Sequence, residues 1–293
     1  MAYLLVLLSV VGLAVQFALT KLWQQRMGTG LRTGLVFNGL VALLSAAVLF
    51  AVNGFRPEFT WFSGLLAVGM GIACGAYTLL GFPLIERCGV SVYTLFLMLG
   101  GMVLPYLYGL IWLEEPFSLL RTLGLVLIAA ALVIAGGGAS PGGKQNSRWN
   151  AVLCLLVFLF NGCVSIVSKA HQVEAVYATV SSGGFSVLGN LARAVLTGVA
   201  LLFVRRQKAE SKGGRLDKRM AAVLVASAVI SGVSYLLQLI GAAELPATVL
   251  YPLITGGSII LTALADRIAF KEKLTPRLYA SIGLCFAATL LFL

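Results

Sequence analysis

The stretch WLEEPFSLLRTLGLVLIAAALVIAGG, residues 112–137, and the stretch AFKEKLTPRLYASIGLCFAATLLFL, residues 269–293, share one pattern. In both, a glutamate is followed after two residues by a hydroxyl residue and then by a long apolar run. The matching pairs are Glu115 with Glu272 and Ser118 with Thr275. Serine and threonine favour the N-cap position, and a carboxylate near a helix start is stabilised by the helix dipole. We therefore predict that two helices begin in the same way, at Ser118 and at Thr275.

The shared pattern extends over much of the chain. A shift of 157 residues, the distance from Glu115 to Glu272, places Gly71 on Ala228, Gly75 on Gly232 and Gly100 on Gly257. Somewhat smaller shifts place Lys21 on Lys169 and Asn38 on Asn190. Self-similarity at a fixed spacing indicates a repeated structural unit.

Composition identifies lipid as the solvent of both units. The 293 residues are 60% hydrophobic and 11% charged, and the mean hydropathy is +1.00. A helix needs about 20 apolar residues to cross a bilayer, and the apolar runs are continuous, unlike the alternating pattern of membrane strands. We predict an all-α membrane protein with ten transmembrane helices, at residues 2–22, 32–53, 60–84, 90–112, 118–137, 149–169, 178–204, 220–241, 246–266 and 275–293.

Five helices in each unit give the two units opposite orientations. The predicted organisation is a first repeat at 1–137, a Gly/Pro/Ser linker at 138–148 and a second repeat at 149–293. Since five is odd, the second repeat enters the membrane from the other side. Inverted repeats of this kind are typical of secondary transporters, whose substrate site lies near the membrane midplane between the repeats.

Basic residues set the predicted orientation. Of the 21 Lys and Arg residues, 17 fall in loops on one face, three fall on the other, and Arg193 lies within a helix. Basic loops stay in the cytoplasm, so both termini are predicted to lie outside a plasma membrane. The net charge of +11 then reflects loops facing anionic lipid, and no nucleic-acid partner is predicted.

The two quoted stretches, at their spacing among ten helices, resemble the drug/metabolite transporter superfamily, specifically its EamA-like ten-helix members. The resemblance covers nearly the whole chain. It implies a central cavity lined by helices 1, 3, 4, 6, 8 and 9, with helices 5 and 10 peripheral. It also implies transport of small metabolites, amino acids or drugs. Four-helix relatives carry a membrane-embedded glutamate in their first helix, whereas the nearest position here is Gln16, which cannot exchange a proton.

Arg193 is the sharpest functional signal. It lies 12 residues before Arg205, or roughly 18 Å along a helix, and therefore near the middle of the membrane. Ionisable groups at that depth are costly and usually face a cavity or a partner. One hypothesis is that Arg193 binds the carboxylate or phosphate of an anionic or zwitterionic substrate. The alternative is a structural arginine bonded to backbone carbonyls, or a helix that begins later than residue 178.

Other polar and aromatic residues fall on the predicted cavity helices. Gln16, Asn161, Ser165 and Gln238 either contact a polar substrate or hydrogen-bond between helices. Tyr77, Tyr93, Tyr235 and Tyr251 either form an aromatic wall for a cationic or amphipathic substrate or anchor at the interface. Asn38 and Asn190 are predicted to bridge helices. Lys21 and Lys169 are predicted to snorkel to the membrane surface, and His171 is predicted to lie in a loop.

Four further residues are predicted to control how the helices pack and bend. Gly100 and Gly257 allow close helix packing, and Pro105 and Pro252 can bend helices 4 and 9. We read all four as packing or hinge positions of a carrier that rocks between two states.

Missing motifs narrow the function. The sequence has no Walker A motif for ATP binding and no HExxH or GxSxG motif of a hydrolase. Neither a cofactor nor a metal is predicted, and the chain is not expected to be an enzyme. The leading prediction is a secondary transporter of an amino acid-like molecule, an amine, an organic anion or a drug, working by alternating access as a monomer or homodimer. The alternatives are a lipid-carrier or phospholipid flippase of the same fold and, less favoured, a membrane enzyme.

Overall fold

The computed structural model describes residues 1–28, 30–136, 148–204, 216–269 and 275–292. Within these ranges the chain forms ten α-helices and no strand. The helices are α1 (Ala2–Met27), α2 (Leu31–Val52), α3 (Trp61–Cys88), α4 (Val90–Ile111), α5 (Leu119–Gly136), α6 (Arg148–Val173), α7 (Ser182–Phe203), α8 (Lys218–Glu244), α9 (Ala247–Ala269) and α10 (Pro276–Leu290). The all-helical prediction is confirmed. The linker 138–148 lies outside the described residues except for Arg148, as does Glu272.

Eight helices, α1–α4 and α6–α9, are long and apolar enough to cross a membrane. The chain is therefore a multi-pass membrane protein. α5 is apolar but short, and α10 has 15 residues, which span only about 22 Å at 1.5 Å per residue. Eight candidate spans are thus established, and ten remains a prediction.

Several helices extend beyond the predicted apolar runs. α3 continues to Cys88 and α6 to Val173, whereas α7 begins at Ser182 and not at residue 178. Hydropathy marks the part of a helix that faces lipid, but backbone hydrogen bonding continues into polar residues. As a consequence, His171 belongs to α6, and its prediction as a loop residue is wrong.

The two predicted N-caps are confirmed. The Thr275 hydroxyl accepts a hydrogen bond from the Leu278 N–H at 3.3 Å, with Pro276 at the first helical position. The Ser118 hydroxyl lies 3.5 Å from the Arg121 N–H, just before α5. Thr60, Ser181 and Asp217 cap α3, α7 and α8 in the same way.

Each helix packs against a small set of others. α1 contacts α8 and α9, α6 contacts α3 and α4, and α2 contacts α7 and α8. α3 also contacts α7, α4 contacts α9, and α5 pairs with α10. Buried apolar side chains fill these contacts, with one cluster around Met102, Ile128, Val249 and Cys285 and another around Met70, Cys74, Phe185 and Leu239.

α4 and α6 cross at two glycines. A Cβ atom on Gly100 would overlap the backbone of Phe158, and one on Gly162 would overlap the Leu104 side chain. A Cβ on Gly257 would lie 2.9 Å from Val10, where α9 meets α1. Small residues allow such backbone approach between membrane helices. Pro105 and Pro252 are buried inside α4 and α9, and both helices continue past them.

Candidate functional site

Arg193 lies halfway along α7, beside α3 and α8. The neighbouring residue Ala192 packs on the same apolar cluster as Cys74 and Tyr77 of α3 and Tyr235 of α8. The guanidinium Nε is buried without a hydrogen-bond partner. Within the described part of the chain, Arg193 makes neither a hydrogen bond nor an ion pair. Among the described residues, no backbone carbonyl is therefore bonded to the guanidinium Nε.

Tyr235 is held at this position by a small polar cluster. Its hydroxyl lies 2.9 Å from the Ser168 hydroxyl on α6 and 3.1 Å from the Met70 sulfur on α3. Ser168 is itself fixed by donating to the Val164 carbonyl at 2.9 Å. The cluster ties three helices together next to Arg193, and it orients one edge of the Tyr235 ring.

Tyr93 is joined to this group through Tyr77. Both rings pack on the apolar cluster around Leu84 and Val157, and Tyr93 from α4 lies directly over Gly81 of α3. Tyr77, Tyr93 and Tyr235 are half-buried. We call Arg193, Cys74, Tyr77, Tyr93 and Tyr235 the Arg193 group.

Other predicted site residues serve helix packing. The Asn161 amide donates to the Leu97 carbonyl at 2.7 Å and joins α6 to α4. The Tyr251 hydroxyl is buried and donates to the Ser165 carbonyl at 2.6 Å, joining α9 to α6. Tyr251 is therefore a packing residue and not part of an open aromatic wall. These bonds agree with the interhelical reading given above for Asn161.

Three of the remaining predicted amides lie on α1, α7 and α8. Gln16 on α1 and Gln238 on α8 are half-buried and stay candidates for contact with a substrate. The Asn190 amide donates to the Ser186 carbonyl at 2.9 Å, one turn earlier in α7. Its predicted role as a bridge between helices is replaced by a bond within its own helix.

Two charged residues hold the corner between α8 and α9, at the end of the bundle where the α2–α3, α4–α5, α6–α7 and α8–α9 connections meet. We call this end face A. The Lys169 ammonium is buried and donates to the carbonyls of Ala242 and Leu245 at 2.7 and 2.8 Å. The predicted snorkelling of Lys169 is wrong, because the end of α8 offers carbonyls that need a donor.

Glu115 holds the other side of the corner. Its carboxylate accepts hydrogen bonds from the backbone N–H groups of Ala247 and Thr248 at 2.6 and 2.9 Å. These are orphan donors in the first turn of α9. Glu115 was predicted to lie at the start of the helix that follows it in sequence, α5. Its hydrogen-bond partners instead belong to α9, in the other half of the chain.

Glu115→Ala is expected to lower the free energy of unfolding by about 1–3 kcal/mol, because charged hydrogen bonds to a helix start are lost. Thermal melting of the purified protein in detergent measures the change. Glu114→Ala is the matched control, since Glu114 is exposed and adjacent. Equal melting temperatures for the two variants would contradict the role of Glu115.

A second polar network closes face A around His171. The imidazole Nε2 lies 2.9 Å from the Ser63 hydroxyl, which also accepts from the Val180 N–H at 3.1 Å. The ring stacks on Phe185 with a centroid distance of 3.7 Å. The side-chain amide of Gln172 lies 3.0 Å from Nδ1. α3, α6 and α7 are thereby joined at this face.

Glu58 joins the α2–α3 and α6–α7 connections. Its carboxylate accepts from the Asn53 amide at 2.9 Å and from the Ser181 N–H and hydroxyl at 2.7 and 2.9 Å. The hydrogen bond from Asn53, followed by the one from the Ser181 backbone, holds the pKa of Glu58 below its ordinary value. The ionised form is therefore the one that binds the second connection.

The depressed pKa of Glu58 predicts a specific acid sensitivity. A carboxylate with a lowered pKa stabilises the fold above its ordinary value of 4.5, and this stabilisation is lost as the pH falls through the folded-state pKa. The melting temperatures of the wild type and Glu58→Gln should therefore differ at neutral pH and converge in acid. Asn53→Ala, which removes the first donor, should show part of the neutral-pH loss. A constant difference down to about pH 3 would contradict this linkage.

Comparison with known proteins supports the fold and carries no function. A solved structure described as "Crystal structure of protein" superposes with a TM-score of 0.79 at 16% sequence identity, covering 99% of this chain and 95% of that chain. At this identity the likeness shows the fold alone. No protein-family model matches the chain. No curated protein matches it either.

Proposed function

We propose that this protein is a secondary transporter that moves small molecules across the plasma membrane by alternating access between two inverted five-helix halves. It would belong with the EamA-like transporters that the sequence resembles. The observation that carries the proposal is the Arg193 group, a charged and aromatic cluster at mid-helix depth contributed by both halves. Cys74, Tyr77 and Tyr93 come from the first half, and Arg193 and Tyr235 come from the second.

The helix contacts support the inverted halves. If each helix is matched with the one five places later, the contact of α1 with α8 corresponds to that of α6 with α3. The contact of α1 with α9 then corresponds to α6 with α4, and α2 with α8 to α7 with α3. α2 with α7, α4 with α9 and α5 with α10 each pair a helix with its own counterpart. This is the pattern expected of two halves related by a two-fold axis.

Matched residues occupy matched contacts. Gly100 of α4 packs on Phe158 of α6, and its counterpart Gly257 of α9 packs on Val10 of α1. Gly71 of α3 lies against Ala192 of α7, and the carbonyl of its counterpart Ala228 on α8 accepts a hydrogen bond from Ser45 of α2. These two matched pairs support the proposed repeat.

Hydrogen bonds between the halves support a gated cavity. On face A, the first-half residues Glu58, Ser63 and Glu115 bond to the second-half segments around Ser181, His171 and Ala247. Alternating access requires such a seal to form on one side of the site and to open in the other state. Under this proposal, the hydrogen-bonded face A is the sealed side of the site.

Cysteine labelling tests the inverted arrangement. Gln25 near the end of α1 and Tyr177 beyond the end of α6 are exposed and follow corresponding helices. In a cysteine-free background, Gln25→Cys and Tyr177→Cys should react with a membrane-impermeant maleimide from opposite sides of intact cells. The basic-loop count further predicts that Tyr177→Cys reacts from outside. Labelling of both from one side would overturn the inverted halves and the proposed mechanism.

A further inference from the structure

We propose that the substrate of the Arg193 group is a small organic monoanion, with a carboxylate facing the guanidinium and an apolar body against the tyrosines. This inference rests on the proposed transport function for its physiological meaning. The binding site itself follows from the charge and the shape of the described residues.

The charge of the group selects an anion. Arg193 is a cation beside Ala192, which packs on one cluster with Cys74, Tyr77 and Tyr235, and thiols and phenols are neutral near pH 7. A buried charge without a partner is costly, and the buried Nε of Arg193 has no partner. A bound carboxylate supplies both the missing charge and the missing acceptor. An amine would instead be repelled by the uncompensated guanidinium.

The number of charges selects a monoanion with a carboxylate. One guanidinium balances one negative charge, whereas a phosphate monoester carries nearly two at neutral pH. The planar fork of arginine matches a carboxylate with two parallel N–H···O bonds. A single arginine without a second cation is therefore suited to a carboxylate and leaves a dianion partly unbalanced.

The aromatic residues define the body of the ligand. Tyr77 packs on one apolar cluster with Cys74 and on a second cluster with Tyr93, and the Tyr235 hydroxyl is occupied by Ser168 and Met70. Tyr235 therefore presents its ring rather than its hydroxyl. Half-buried aromatic faces favour a flat, apolar ligand body. The site combines one charged contact with an apolar wall.

The repeat shows that this charge is specific to one half. The shift that places Asn38 on Asn190 places Val41 on Arg193. Val41 is buried in an apolar cluster with Trp23, Phe37 and Met220. Packing at this position of the fold is thus satisfied by valine, so an arginine here is not a requirement of the architecture. Of these two matched positions, only the one in the second half carries a positive charge.

Three ligands with the same aromatic ring test which ligand charge the site prefers: benzoate (an anion), benzamide (neutral) and benzylamine (a cation). Their binding to the full-length protein in detergent is measured by ligand-dependent shifts in melting temperature. Benzoate is expected to bind at least about tenfold more tightly than the other two. Arg193→Gln should remove this preference, Arg193→Lys should keep part of it, and Arg56→Gln, which removes an exposed cation on face A, should leave it unchanged.

The outcomes distinguish this inference from the transport proposal. Equal or tighter binding of benzylamine or benzamide would overturn the anion site, as would a benzoate preference that survives Arg193→Gln. Failure of all three probes to bind at millimolar concentration would also count against it. Flux in proteoliposomes is scored separately with labelled benzoate. Arg193-dependent binding without flux would reject transport and keep the site, whereas flux of benzylamine without benzoate would keep transport and reject the site.

Discussion

Arg193→Met is expected to abolish transport and, at the same time, to raise the melting temperature of the protein. Flux should fall by a factor of at least about 30, because losing the buried partner of a bound charge costs roughly 2–5 kcal/mol. Stability should rise because Nε has no partner in the described residues, and replacing buried ionic groups by apolar ones often stabilises by about 1–4 kcal/mol. Residues kept for function at the expense of stability show this combination.

Flux of labelled benzoate into proteoliposomes and thermal melting in detergent measure the two effects on one preparation. Arg56→Met is the matched control, since it removes an exposed arginine on face A, and it should change neither quantity much. If Arg193→Met transports normally, Arg193 has no role in binding. A large fall in melting temperature would instead show that the guanidinium supports the fold.

Gly100→Val is expected to prevent folding of the α4–α6 pair. A Cβ atom at this position would overlap the Phe158 carbonyl and Cα, which are backbone atoms and cannot rotate away. Overpacking in a rigid contact costs typically about 1–3 kcal/mol and sometimes more, and valine adds two methyl groups to the Cβ. Gly100 is buried, so α4 would have to move away from α6 along its length.

The yield of monodisperse protein and its melting temperature measure this effect. Gly69→Ala is the control, because Gly69 is an exposed glycine within α3 with no atom near its absent Cβ. That substitution should be neutral or stabilising by up to about 1 kcal/mol, given the helix propensities of alanine and glycine. A normal yield for Gly100→Val would mean that α4 and α6 are not held at this crossing in the membrane.

The sequence predicted the fold well because lipid imposes simple rules. Every predicted helix exists, since apolar runs of bilayer length have few alternatives to a helix. The caps at Ser118 and Thr275 were predictable because the side chain and its N–H partner are three residues apart. Helix ends were less predictable, since α3 and α6 extend into polar residues that hydropathy assigns to loops.

The candidate site was predictable only where one residue stood out. Arg193 was found because an arginine within an apolar run is costly. Its neighbours on α3 and α8 were only part of a longer set of tyrosines, and Tyr251 proved to be a packing residue. Lys169 and His171 were misread because their partners, Ala242 and Ser63, are remote in sequence.

Only Leu245 and Pro246 separate α8 from α9. The Lys169 ammonium donates to carbonyls at the end of α8, and the Glu115 carboxylate accepts from N–H groups at the start of α9. The two opposite charges also attract each other. Bending the chain there would strip charged hydrogen bonds from both helix ends. The face-A ends of α6, α8 and α9 are therefore expected to move as one rigid unit. A hinge between two conformations would have to lie elsewhere in the chain.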